Sequence, residues 1–190
     1  GLCPQGIAAH TMGAGLLRVT AETEPTLRAA LELREPQAEH LREVSELYED
    51  RFKDVLDVLF SSPLCVAYTQ ANTRRQGIQD VLMGQHWPKG GDLAVHLGVL
   101  AAVFECTDLV PVQALVDRLG PSFHTQALDL NAGTIVCPIT GRQSPLNHKR
   151  KYVVAWRKSC FVEGELPHIE VKQHPKLTSF KEHLDKRWEA

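Results

Sequence analysis

Thiols and imidazoles are the side chains here whose chemistry is most versatile, and the chain has five cysteines and nine histidines. The cysteines (Cys3, Cys65, Cys106, Cys137 and Cys160) are odd in number and include no C-x-x-C pair. That pattern argues against a disulfide framework and for reduced thiols, buried as small hydrophobes in a reducing, intracellular compartment, cytoplasm or nucleus. Cys137, Cys160, His168 and His174 give the order C-x22-C-x7-H-x5-H. Structural zinc sites pair their ligands at short spacing, and only the two histidines meet that condition. The expectation is therefore solvated or capping histidines and no metal. A cysteine–histidine nucleophilic pair is chemically open, but no spacing selects its members.

Ile169-Glu170-Val171-Lys172 resembles the distal half of a PD-(D/E)xK nuclease site. The resemblance implies that Glu170 would hold a divalent cation and Lys172 would orient the attacking water. The proximal acid is missing: Glu163 and Glu165 are too close in sequence, and Asp129 falls in a segment that reads as helix. The chain has no G-x-S-x-G elbow, no P-loop and no G-x-G-x-x-G, so no catalytic residue and no cofactor is assigned.

Charge distribution says more. Residues 21–60 hold eleven acidic and five basic side chains, a local balance of −6 in a chain whose net charge is −2. Residues 131–162 hold six basic side chains and no acid. The basic set is Arg142, Lys149, Arg150, Lys151, Arg157 and Lys158, joined by His148. Displayed on a hairpin, such residues would follow a phosphate backbone with strong salt dependence, while Tyr152 and Trp156 could stack on bases. Docking on an acidic protein surface is the alternative.

The elements that would carry these residues follow from breakers and periodicity. Glu24-Pro25-Thr26 opens a short helix, which Glu35-Pro36 interrupts. Over 37–60 the residues Leu41, Val44, Tyr48, Phe52, Val55, Leu56 and Leu59 recur at spacings of three and four and predict one long amphipathic helix. Its apolar stripe would lie on the domain core or pair with a partner helix. His86–Gly91 reads as a breaker loop. Three helices then follow, over 92–106, 108–120 and 123–131, the second stopped by Gly120. After them come two β-like runs, 134–139 and 151–162, and a C-terminal helix with Phe180, His183, Leu184 and Trp188 on one side.

The stretch VQALVDRLGPSFHTQALDL, with the β-like runs after it, resembles a winged helix-turn-helix. The expected fold is therefore α+β and predominantly helical. It comprises a flexible tail (1–20), a helical segment (21–88) with the long acidic helix, and a winged-helix-like unit (89–190) with a basic hairpin and a C-terminal helix. The candidate recognition helix carries no Lys or Arg, which moves any nucleic-acid contact to the wing, 142–158. The expected function is a non-enzymatic interaction module of an intracellular assembly. A protein partner or second copy would bind the long helix through Leu41, Val44, Tyr48, Phe52, Val55 and Leu59. Direct binding of DNA or RNA through the basic hairpin is the runner-up, and a metal-dependent nuclease a distant third. No apolar run approaches the roughly 20 residues of a membrane span, and no secretory signal is read at the N-terminus.

Overall fold

The computed structural model describes residues 19–63, 66–68, 76–80, 84–136, 143, 148–161 and 167–171. The first helix, α1 (Pro25–Arg34), forms where the sequence places it. Proline presets the first turn, and the Glu24 carboxylate accepts from the Leu27 amide at 2.8 Å. Strands β1 (Val19–Ala21) and β2 (Glu39–Leu41) flank α1 and pair in parallel as a two-stranded sheet. Beyond them lie β3 (Val58–Ser61), α2 (His86–Leu97), β4 (Ala101–Thr107), α3 (Val112–Leu119), β5 (Phe123–Asn131) and β6 (Lys149–Arg157). The last four strands form one mixed sheet in the order β3-β4-β6-β5. β3 and β4 are parallel, whereas β6 runs antiparallel to both its neighbours, β4 and β5.

This architecture corrects the predominantly helical, winged-helix expectation. Among the described residues there are three α-helices and six strands in two sheets. The long helix over 37–60 is instead β2, two 3-10 turns (Val44–Tyr48 and Asp50–Phe52) and β3. The acidic residues there compete with a helix for the backbone: one Glu46 carboxylate oxygen accepts from the amides of both Arg42 and Glu43, at 2.8 and 2.7 Å. The stripe is dispersed with it. Leu41 and Phe52 enter the core and Leu59 is half-buried, but Val44, Tyr48 and Val55 are exposed. No single face remains for a partner helix.

The helix expected over 92–106 divides into α2 and β4. Gly98 stops α2 with a φ of 67°, a conformation in which glycine has no Cβ to clash. His86–Gly91, read as a breaker loop, supplies the first turns of α2. The expected recognition helix over 123–131 is β5, held along its length by β6. Nine residues that alternate between two faces gain a full cross-strand ladder, which outweighs their modest helical preference. The 151–162 run does form a strand, but it is interior to the sheet and not a projecting wing. Arg142 and the C-terminal helix lie outside the described residues.

The core sits on one face of the four-stranded sheet. Ala102, Phe104 and Cys106 of β4, with Val153 and Ala155 of β6, point into it and are almost wholly buried. Trp87 and Leu97 of α2 and Leu115 and Leu119 of α3 close it from above. Trp87 meets the Phe104 ring edge-on at 6.4 Å and donates from Nε1 to the Pro111 carbonyl at 3.1 Å. Gly90 lets α2 approach this closely, since a Cβ there would stand 3.1 Å from the Phe104 ring.

Candidate functional site

Residues alternate across a strand, so the side chains between those core residues face the other way. On β4 they are Val103, Glu105 and Thr107. Across the ladder they meet Val154, Tyr152 and Arg150 of β6. Val58 and Phe60 of β3 share this second face and are 46% and 45% exposed. At the end where β3 and β4 finish and antiparallel β6 begins, the apolar face gives way to a polar cluster. Carboxyl ends of parallel strands are where open α/β sheets place their ligands.

Glu105 is the centre of that cluster. Its Oε1 accepts from Arg150 Nε at 2.6 Å, and its Oε2 accepts from Ser62 Oγ at 2.6 Å. The ion pair is three-quarters buried on both sides, which keeps it short and oriented. Arg150 Nη1 also donates to the Lys149 carbonyl at 2.9 Å, so its guanidinium is held at two edges. Tyr152 lies directly across from Glu105, and its hydroxyl is pushed above its ordinary pKa, first by burial and then by the Glu105 charge. Carboxylate, guanidinium and hydroxyls thus offer an acceptor and donors side by side, able to read a planar polar edge. Cys65 follows Ser62 by three positions in the sequence and lies outside the described residues.

A second carboxylate stands at the carboxyl end of β1. Glu22 is half-exposed and accepts from the Glu24 amide at 2.9 Å, through one oxygen only among the described residues. An acid at a parallel strand's end can hold the paired hydroxyls of a ribose.

The basic residues expected to bind nucleic acid are mostly engaged by their own chain. Arg150 pairs with Glu105, Lys151 with Asp129 at 2.5 Å, and Arg157 with Asp54 at 3.4 Å and the Gly98 carbonyl. Lys158 Nζ donates to the Gly120 carbonyl at 2.7 Å. His148 and Lys149 are exposed at the start of β6. Trp156 is half-buried on the same face as Tyr152 and Glu105. These residues are therefore split between two faces of a sheet. Of the considered metal ligands, Cys160, His168 and Glu170 are exposed and dispersed, while Cys137, His174 and Lys172 lie outside the described residues. Among the described residues no group of three His, Cys, Asp or Glu could hold a metal.

Sequence reasoning missed Glu105, Ser62 and Glu22. The available signals were local: an apolar run closed by Ser61-Ser62-Pro63, and an acid inside the β-prone run Ala101–Thr107. Reading the second run as helix hid the acid on a helix side.

No protein-family model and no curated protein matches the sequence. Solved structures do match in fold. A chain described as a DNA modification methyltransferase encoded within an E. coli prophage superimposes with a TM-score of 0.62 at 15% identity, covering 94% of this chain and 51% of that one. Spodoptera frugiperda DNMT2 gives 0.57 at 16% identity, covering 90% and 52%. The S. pombe Dnmt2 methyltransferase gives 0.57 at 11%, covering 85% and 48%. The chain therefore spans about half the length of these neighbours. The match overturns the winged-helix reading, and with it the interaction-module and wing-binding functions built on that fold. Among the described residues no helix is long and apolar enough to cross a membrane. The chain shares the mixed α/β, Rossmann-like fold of these neighbours.

Proposed function

We propose that this chain carries the base-handling part of a nucleic-acid methyltransferase. The observation that supports the reading most directly is the Glu105 carboxylate held between Arg150 and Ser62 at the carboxyl ends of β3 and β4. Enzymes that methylate a base take it out of the stack and read its Watson–Crick edge by hydrogen bonds. Glu105 would accept from an exocyclic amine, and Arg150 would donate to a ring acceptor beside it, so the pair selects a base that presents both. The fold neighbour described as a DNA modification methyltransferase supports nucleic acid as the substrate class.

A methyl donor is implied by the fold, and Glu22 fits it, because a half-exposed carboxylate at the end of β1, with one oxygen unpaired among the described residues, suits a ribose diol. When bound, an S-adenosylmethionine-type sulfonium supplies the electrophilic methyl group. Cys65 follows Ser62 by three positions, whereas Cys106, next to Glu105 in the sequence, is buried in the core on the other face; we assign Cys65 the nucleophile of a covalent route.

Transfer of labelled methyl groups from S-adenosylmethionine to duplex DNA and to a folded RNA tests the reading. The wild-type chain should label one of them. Glu105→Gln and Cys65→Ser should each lower the rate by about a hundredfold or more. A folded wild-type chain that labels neither nucleic acid overturns the proposal. Labelling that persists in Cys65→Ser removes the covalent route and keeps the transfer.

A further inference from the structure

Thr107 lies two residues beyond Glu105 on β4, on the same face, and stands directly across the ladder from Arg150. It is only 7% exposed, and its Oγ1 has no hydrogen-bond partner among the described residues. A buried hydroxyl left unpaired is costly, and a valine of nearly the same shape would avoid the cost. Cross-strand neighbours stand about 4.5–5.5 Å apart at Cα, within the reach of an arginine side chain. Arg150 spends Nε on Glu105 and Nη1 on the Lys149 carbonyl, and its Nη2 makes no bond among the described residues. An idle acceptor and an idle donor are therefore carried by residues directly across the ladder from each other, beside the carboxylate.

We infer that Thr107 is a positioning residue, the second resting place of the Arg150 guanidinium. Glu105 holds Arg150 while the site is empty. When its carboxylate turns to the donor group of a base, Arg150 loses the partner that orients it. The Thr107 hydroxyl then accepts from the guanidinium and keeps it aimed along the base edge. The idle hydroxyl of the ligand-free state is what a site with two arginine positions has to carry. The purpose assigned to this exchange rests on the base-handling reading of Glu105; the exchange itself rests on the register and the unpaired groups.

A thermodynamic cycle tests the exchange without any activity. Thermal unfolding is measured for wild type, Thr107→Val, Glu105→Ala and the double variant. In the wild-type background Thr107→Val should raise Tm by about 2–4 °C, because it removes an unsatisfied hydroxyl. In the Glu105→Ala background, where Arg150 has moved to Thr107, it should lower Tm by a similar amount. Thr107→Ser should leave the Glu105→Ala chain unchanged. A Tm change of the same sign and size in both backgrounds overturns the inference. Should Glu105→Ala fail to fold, Glu105→Gln replaces it: its neutral amide holds Arg150 less tightly, so the gain from Thr107→Val should shrink, and an undiminished gain overturns the inference. Methyl-transfer rates separate the two readings. With an active wild type, Thr107→Val should lose about tenfold in kcat and Thr107→Ser should recover it, whereas a Thr107→Val rate equal to wild type removes the proposed purpose. A reversed Tm sign with no methyl transfer from any variant leaves the arginine exchange standing and removes the enzymatic reading.

Discussion

Arg157 closes the far end of β6 against the end of α2, and replacing it by methionine shows what that contact contributes. Its Nη1 donates to the Gly98 carbonyl and lies 3.4 Å from Asp54 Oδ1. The two contacts differ in worth. The carbonyl belongs to a buried glycine at the end of a helix, where a charged donor is worth about 1.5 kcal/mol. The ion pair is long, and its side chains are 36% and 59% exposed, so about 0.5 kcal/mol is its ceiling. Methionine keeps the aliphatic stem and its packing. Arg157→Met should therefore cost about 1.5–2 kcal/mol, equivalent to about 3–8 °C in Tm for a chain of this size. Asp54→Asn should cost about 0.5 kcal/mol or less, because asparagine tolerates the φ of 55° found there. Urea unfolding of both single variants and the double variant measures the terms and their coupling. If Asp54→Asn proves as destabilising as Arg157→Met, charge attraction and not capping of the Gly98 carbonyl holds this corner, and the reasoning fails.

Four further outcomes follow from the same structure. Phe104→Ala, which empties the space between α2 and the sheet, should cost about 3–5 kcal/mol in urea unfolding. Gly90→Ala should cost about 1–3 kcal/mol by the same measurement, since its Cβ would press on the Phe104 ring. The Tyr68 hydroxyl, buried and bonded to the Gly84 carbonyl at 2.5 Å, is pushed up to about 12. A folded-state value above the unfolded one means stability fully present below about pH 10 and lost between about pH 10 and 12. Tyr68→Phe should thus be less stable at neutral pH, by about 1–2 kcal/mol, yet show a flatter alkaline decline in denaturation measured against pH. On the proposed function, Lys149→Gln should reduce the salt dependence of nucleic-acid affinity by about one unit of slope, whereas Lys151→Gln, already paired with Asp129, should change it little in binding titrations at several salt concentrations.

Local chemistry made part of the fold legible in the sequence. Pro25 and the Glu24 cap mark α1, the spacing of Leu115 and Leu119 marks α3, and the β-branched and aromatic run after Lys149 marks β6. Where periodicity alone decided, the reading went astray. Spacings of three and four over 37–60 fit a helix, but they fit equally a chain that turns at Glu43 and Glu49 and returns Leu41 and Phe52 to one core. In 123–131 the deciding term is non-local, a ladder with a strand whose sequence begins 18 residues beyond the end of β5. The site was hidden for the same reason. Ser62, Glu105 and Arg150 are 43 and 45 positions apart, and only the sheet register joins them.

The position of β6 has a consequence for how the molecule comes into being. The last strand among the described residues is interior to the sheet, between two strands made earlier. Until the ribosome has released residue 157, β4 lacks its β6 neighbour and β5 lacks the one strand that pairs with it among the described residues. Nascent chains must therefore wait with apolar edges uncovered, and any product ending before that point should aggregate and be cleared by proteases.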